Sequence, residues 1–194
     1  MKQAELVYRE ILYSAIEQKN RTLTQAAISR KLSISLSAVN AAVKAIERIG
    51  AVEVLPRNFK VVDIKKILYF WASIRNVQKD IIYSTRVEQP VTEIEKSLPD
   101  NAVFAAYTAH KLMFGTVPAD YSEVYAYCDE SIKKRFLPEK GTANLFVLKK
   151  DGMIEKYGKT TTVANTFVDL WNLREWYAKE FVKTLEETLH GVLE

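Results

Sequence analysis

The chain has 194 residues, of which 48% are apolar and 27% charged, with 6 Gly and 5 Pro. This composition excludes collagen-like, low-complexity and disordered chains, and the length suits one or two domains with a hydrophobic core. The single cysteine, Cys128, excludes a disulfide framework and a multi-cysteine zinc site, and is typical of the reducing cytosol. The N-terminus lacks an apolar signal-peptide region and no apolar run reaches about 18 residues, so we expect a cytoplasmic protein without a membrane span.

Positive charge is concentrated at the N-terminal end. Residues 1–62 contain ten Lys and Arg against five Asp and Glu, a balance of +5, whereas residues 63–194 contain eighteen against nineteen, a balance of −1. A basic module joined to a near-neutral one indicates that the first module binds a polyanion and the second has another task.

The first 62 residues predict helices followed by a hairpin. Apolar residues three and four positions apart predict a helix over residues 3–18, a second helix capped by Thr22 or Thr24, and a third helix that ends at Gly50. The segments AVEVL and FKVVD then predict two short strands joined by a turn over residues 56–58. This order predicts a winged helix-turn-helix domain over residues 1–62.

The stretch TLTQAAISRKLSISLSAVNAAVKAIERIGAVEV resembles the DNA-binding domain of prokaryotic winged-helix transcription regulators. The matching features are the small Ala26-Ala27 pair, Leu32 before the turn, the Ser-rich start of the third helix, and Ile49-Gly50 before the wing. The resemblance implies that the third helix enters the major groove of DNA.

A recognition helix presents its N-terminal residues to base edges. Asn40 is the best candidate base reader, because its amide can pair with N6 and N7 of adenine, and it shares a helix face with Ser37 and Lys44. The predicted contacts of this helix are Ser35, Leu36, Ser37, Asn40, Ala41 and Lys44. Further predicted contacts, chiefly to phosphates, are Arg30, Lys31, Arg48 and, on the wing, Arg57 and Lys60. The alternative is that Ser35 or Ser37 only caps the helix and that Asn40 is a solvated surface residue.

Residues 63–78 predict a connecting helix whose apolar face suits either the rest of the chain or a second subunit.

Residues 79–194 predict a mixed domain. In chain order, the expected elements are a strand in DIIYST, a helix over Val91–Ser97, a helix over Asn101–Gly115, strands in YSEVYAYCD and ANLFVLKKD, one or two more strands in MIEKYG and TTTVA, and a closing helix pair. The predicted fold class is therefore α+β, an N-terminal winged helix-turn-helix domain followed by a C-terminal mixed α/β domain.

The second half is similar to the C-terminal part of the AbiEi-like antitoxin and regulator family of abortive-infection toxin–antitoxin systems. The matching segments are FAAYTAHKLMFG, then SEVYAYCD, then TTVANTFVDLWNL and a closing helix. The resemblance implies an N-terminal winged helix that represses by binding an operator, and a C-terminal domain that contacts a partner or a second copy.

Residues suited to catalysis are sparse. His110 and His190 lie outside ligand motifs, and a nucleophilic pair of Cys128 with His110 is less favoured than a buried structural cysteine. The chain has no phosphate-binding glycine loop and no HExxH zinc motif, so we expect no enzyme, cofactor or metal. Short basic runs at residues 133–135 and 149–150 are interpreted as solvated loop ends, with DNA flanks as the alternative.

The sequence thus predicts a sequence-specific transcriptional regulator, a repressor, that binds double-stranded DNA as a homodimer. The two recognition helices would lie about one duplex turn apart on a near-palindrome. Two alternatives remain open. The chain is either an antitoxin-like or complex-forming module with a protein partner for its C-terminal domain, or a regulator that senses a small ligand through residues 80–194.

Overall fold

The computed structural model describes residues 1–193. Its helices are α1 (Gln3–Ile16), α2 (Gln25–Leu32), α3 (Leu36–Arg48), α4 (Ile64–Ile74), α5 (Val91–Ser97), α6 (Ala106–Phe114), α7 (Ile132–Arg135), α8 (Val163–Trp171) and α9 (Ala178–Leu193). Its strands are β1 (Thr22–Leu23), β2 (Val52–Val54), β3 (Phe59–Val61), β4 (Ile81–Thr85), β5 (Val103–Ala105), β6 (Val124–Cys128) and β7 (Leu145–Lys149). The predicted α+β class is confirmed.

Contacts within the chain define two units. The first unit comprises residues 1–75 and 162–168 and the chain from Leu185 onward, and the second unit comprises residues 76–161 and 169–184. Each unit has its own sheet, which is β1-β3-β2 in the first and β4-β7-β6-β5 in the second.

The first unit contains the predicted winged helix-turn-helix. Thr24 caps α2, because its hydroxyl accepts the N–H of Ala27 at 3.1 Å. Ser33 adopts a left-handed conformation with φ 54°, which turns the chain sharply from α2 into α3. β2 and β3 form the antiparallel wing, and β1, a strand that the apolar pattern did not predict, pairs with β3 on its other side.

Helix α4 follows the wing directly and packs within the first unit. The predicted helix over residues 63–78 is too long, because the chain is extended at Arg75 and continues as a short 3₁₀ helix over Val77–Asp80. The apolar residues Ile64, Ile67, Leu68 and Trp71 are buried within the chain itself. The structure therefore leaves this face unavailable to a second subunit.

The second unit is a mixed sheet with helices. β6 is parallel to β7, while β4 pairs antiparallel with β7 and β5 antiparallel with β6. The predicted strands in DIIYST, YSEVYAYCD and ANLFVLKKD, the helix over Val91–Ser97 and the closing helix pair are confirmed.

Two predicted elements of the second unit are wrong. The helix expected over Asn101–Gly115 begins only at Ala106, because Val103–Ala105 pairs with β6 as a strand. The strands expected in MIEKYG and TTTVA are a 3₁₀ helix over Ile154–Tyr157 and an isolated bridge at Thr160. The hydroxyl of Thr162 accepts the N–H of Asn165 at 3.2 Å, which starts a helix where a strand was expected.

Candidate nucleic-acid interface

Helix α3 has one buried side and one exposed side. Val39, Ala42, Val43 and Ile46 are buried in the first unit. The exposed residues are Leu36, Ser37, Ala41, Lys44, Glu47 and Arg48. Because the buried and exposed residues alternate with the helical period, the exposed side forms a continuous strip along the helix.

The serines at the start of α3 have different positions. Ser35 is the N-cap, and its hydroxyl accepts the N–H of Ala38 at 3.2 Å. Ser37 lies in the first turn, exposed, with its hydroxyl 3.0 Å from that of Ser35. Ser35 therefore stabilises the helix end, and Ser37 is the serine whose position suits contact with a ligand.

Asn40 is held by a residue that the sequence analysis did not single out. Its Nδ2 donates a hydrogen bond to Oε1 of Gln25, 3.1 Å away, at the start of α2. Asn40 is half-buried, so it is not the freely solvated residue of the alternative interpretation. The signal for Gln25 was its place directly after the N-cap Thr24, where the first turn of α2 approaches that of α3.

The basic candidates divide into two groups. Exposed side chains are found at all six, namely Arg30, Lys31, Lys44, Arg48, Arg57 and Lys60. Lys31 differs from the others in its ion pair with the buried carboxylate of Glu10 at 2.7 Å, and its ammonium lies 5.4 Å from the centre of the Tyr13 ring. The geometry thus favours the other five for phosphate contacts and gives Lys31 a structural contact.

A cleft of about 240 Å³ separates the start of α2 and α3 from the wing. It is lined by Thr24, Gln25, Ala26, Leu36, Val54, Leu55, Pro56, Arg57 and Asn58. Leu36 is 53% exposed and Leu55 41% exposed, so apolar surface lies next to the Gln25–Asn40 pair. The sequence analysis missed this wing surface because Val54 and Leu55 were interpreted only as strand residues.

The candidate catalytic pair lies in the core of the second unit. His110 is buried against the rings of Phe114 and Phe181, at 4.9 and 5.1 Å between ring centres, and burial lowers its pKa. Cys128 is fully buried in β6, and burial raises the pKa of its thiol. Buried, uncharged side chains of this kind are typical of packing.

Within residues 1–193, no group of three or more His, Cys, Asp or Glu side chains is arranged to hold a metal ion. Among the described helices, none combines the length and the apolar character that crossing a membrane requires.

Comparison with known proteins identifies the type of the N-terminal domain. Residues 9–53 match the family model for winged helix-turn-helix DNA-binding domains. Searches of curated proteins and of solved structures each found no match. The matched segment runs from α1 to β2 and includes both the turn and the exposed side of α3. The chain therefore carries, at residues 9–53, a winged helix-turn-helix domain of the DNA-binding type.

Proposed function

We propose that this protein is a sequence-specific transcriptional regulator that represses by occupying an operator as a dimer. The observation that carries the proposal is the exposed side of α3, where Ser37, Lys44 and Arg48 share a helix face with Asn40, whose amide is held by Gln25. A fixed amide beside exposed cations is the combination in which the amide reads a base while the cations bind phosphates and hold the helix in the groove.

Asn40 is the base reader in this proposal. One N–H of its amide is used by Gln25, which leaves the second N–H and the carbonyl oxygen for N7 and N6 of adenine. Leu36 and Leu55 offer apolar contact to a thymine methyl group beside it. The operator is therefore expected to contain adenine and thymine at the positions under the start of α3.

The exposed cations hold the backbone of the duplex. Lys44 and Arg48 lie one turn apart on α3, Arg30 lies in the last turn of α2, and Arg57 and Lys60 lie on the wing. Each cation that neutralises a phosphate releases counterions, so binding weakens steeply as salt is added. These contacts position the domain without selecting sequence.

Dimerisation follows from the need for specificity. One recognition helix discriminates through a few base contacts, each worth about 1–3 kcal/mol, and a genome contains many competing sites. Two copies on a near-palindrome double the number of base contacts. The apolar face of α4 is buried within the chain, so the dimer contact is expected to use other surface.

The test is selection of genomic fragments by the purified protein, followed by footprinting at the recovered site. We expect the footprint to be a protected near-palindrome. The variant Asn40→Ala should bind this site about tenfold more weakly than the unchanged protein, while its affinity for unrelated DNA should stay within about threefold. If no fragment is enriched at low salt, or if Asn40→Ala weakens all sequences equally, the proposal is wrong.

Complex formation is the second candidate function. Trp176 is 73% exposed and Trp171 48% exposed in the second unit, and exposed tryptophans are concentrated at protein interfaces. Co-expression with the product of the neighbouring gene would test it. Co-elution that is lost with Trp176→Ala but kept with Lys179→Ala supports a partner protein, and independent elution contradicts one.

A further inference from the structure

The second unit contains a basic cleft of about 480 Å³. It lies where the end of β4, the end of α5 and the segment after α7 meet. We define this basic cleft by Arg86, Lys96, Arg135, Phe136, Leu137 and Glu139. None of these residues belongs to the winged helix-turn-helix match.

The walls of the basic cleft are fixed by hydrogen bonds between segments distant in sequence. The hydroxyl of the buried Thr85 donates to the carbonyl oxygen of Leu137 at 3.2 Å and accepts the N–H of Glu139 at 2.9 Å. The hydroxyl of Tyr83 donates to the carbonyl oxygen of Phe136 at 2.7 Å. These hydrogen bonds hold the walls of the cleft in place, which lowers the entropic cost of binding.

A second depression adjoins the first. It has a volume of about 400 Å³ and is lined by Pro99, Ser131, Ile132, Lys134 and Arg135. Arg135 lines both depressions, and its Nη1 donates to the carbonyl oxygen of Ser97 at 3.0 Å. This bond orients the guanidinium and leaves its other N–H groups for a ligand.

Among the residues that line the basic cleft, the cations outnumber the acids. The second unit as a whole is balanced, with fifteen Lys and Arg and fifteen Asp and Glu, yet Arg86, Lys96 and Arg135 line the cleft against Glu139 alone. Arg86 pairs with Glu88 at 3.0 Å and Lys96 with Glu93 at 2.9 Å. Both are solvent-exposed pairs of low energy, so a multiply charged anion can compete with them.

Apolar surface lies beside the cations. Leu137 is 69% exposed at the rim, and Phe136 forms part of the wall. A volume near 480 Å³ is within the range of about 300–1,000 Å³ that small-molecule sites occupy. Three cations lining one cleft match two or more phosphates, and the apolar wall matches a flat ring.

We propose that the basic cleft binds a phosphorylated small molecule of nucleotide size. Phosphates bind Arg86, Lys96 and Arg135, and the ring lies against Phe136 and Leu137. Arginine is suited to this role because its planar fork pairs with two phosphate oxygens at once. The assignment does not depend on DNA binding.

The experiment is calorimetric titration of the full chain at low salt with ATP, inorganic pyrophosphate and adenosine. We expect ATP and pyrophosphate to bind and adenosine not to bind. Two variants test the cleft, the double variant Arg86→Gln with Arg135→Gln and the single variant Lys96→Gln. Each should bind both anions about tenfold or more weakly than the unchanged protein. The matched control Lys149→Gln with Lys179→Gln removes two exposed charges elsewhere in the second unit and should change affinity less than twofold.

Several results would overturn the proposal. These are the absence of heat with both anions, equal loss of affinity in the control pair, and unchanged affinity in both cleft variants. Because Arg135 bonds to Ser97, the thermal midpoint of each variant is measured, and Lys96→Gln provides a variant in which no backbone bond is removed. If the cleft variants lose affinity for duplex DNA but not for the small anions, the surface contacts DNA and the proposal is also wrong.

Discussion

The Gln25–Asn40 hydrogen bond joins two helices at the point where the domain would meet a base. A side-chain amide on a surface helix samples several rotamers, and each must be given up on binding. Gln25 reduces that cost because it holds the Asn40 amide before DNA arrives. Gln25 is thus a positioning residue in the proposed interface.

Substitution of Gln25 tests this role. Gln25→Ala is expected to weaken binding to the selected site about three- to tenfold and to relax the preference for adenine, because the Asn40 amide becomes mobile. Fluorescence anisotropy with the selected site and with an adenine-substituted site measures both effects. Gln18→Ala, which replaces an exposed glutamine after α1, serves as the control and should leave both values unchanged. An unaltered adenine preference in Gln25→Ala would show that Asn40 needs no such support.

Cys128 gives a prediction about chemical reactivity. Its thiol is fully buried in β6 and burial raises its pKa, so the reactive thiolate is scarce and inaccessible. At pH 8, iodoacetamide should modify the folded protein slowly and the urea-unfolded protein quickly, as followed by mass spectrometry. The folded-state rate should keep rising with pH beyond the point at which the rate of the unfolded protein levels off, because thiolate formation is shifted to higher pH. Rapid modification of the folded protein would contradict the buried position of β6.

At the scale of the element, α2 offers adjacent cations with different surroundings. Arg30 is exposed, whereas Lys31 pairs with the buried carboxylate of Glu10. Arg30→Ala should lower the slope of log K against log salt by about 1 without changing stability. Lys31→Ala should leave the slope unchanged and reduce the free energy of unfolding by about 1 kcal/mol, because its ion pair with the buried Glu10 carboxylate is lost. Salt titrations of DNA binding and urea unfolding measure the two quantities, and equal slopes for the two variants would be evidence against this division.

At the start of α3, Ser35 caps the helix and Ser37 is a candidate DNA contact. Ser35→Ala should lower the free energy of unfolding by about 1 kcal/mol, because the N–H of Ala38 loses its acceptor. Ser37→Ala should change stability little, since Ser37 is exposed and its hydroxyl meets that of Ser35, which is exposed as well. Urea unfolding followed by circular dichroism compares the two variants. A greater loss of stability in Ser37→Ala than in Ser35→Ala would reverse the assignment.

At the scale of the whole molecule, the proposed dimer makes the spacing of the operator half-sites a measurable quantity. Two recognition helices in successive major grooves require half-site centres about 10 base pairs apart. Insertion of five base pairs at the operator centre moves one half-site to the opposite face of the duplex and should abolish cooperative binding. Insertion of about ten base pairs, one full turn of the duplex, should restore part of the cooperative binding. Equal affinity for all three spacings would indicate that each copy binds alone.

The N-terminal domain could be predicted from local signals, because each of them acts over a few residues. The caps Thr24 and Ser35, the apolar period of α3 and Gly50 at its end each specify local backbone geometry, and together they leave one arrangement of helices and wing. The polar side of α3, with Asn40 upon it, follows from the same period. For these reasons the fold and the candidate helix were predictable without coordinates.

Tertiary structure decided the features that depend on distant partners. Residues 103–105 form a strand rather than a helical turn because β6, some twenty residues later, supplies their hydrogen-bond partners. Lys31 forms an ion pair with Glu10, a residue of α1, because folding brings that buried carboxylate beside it. Arg86, Lys96 and Arg135 share one cleft only because β4, α5 and the segment after α7 converge. Local periodicity contains no information on such pairings, since hydrogen bonds and ion pairs between segments form only when the chain has folded.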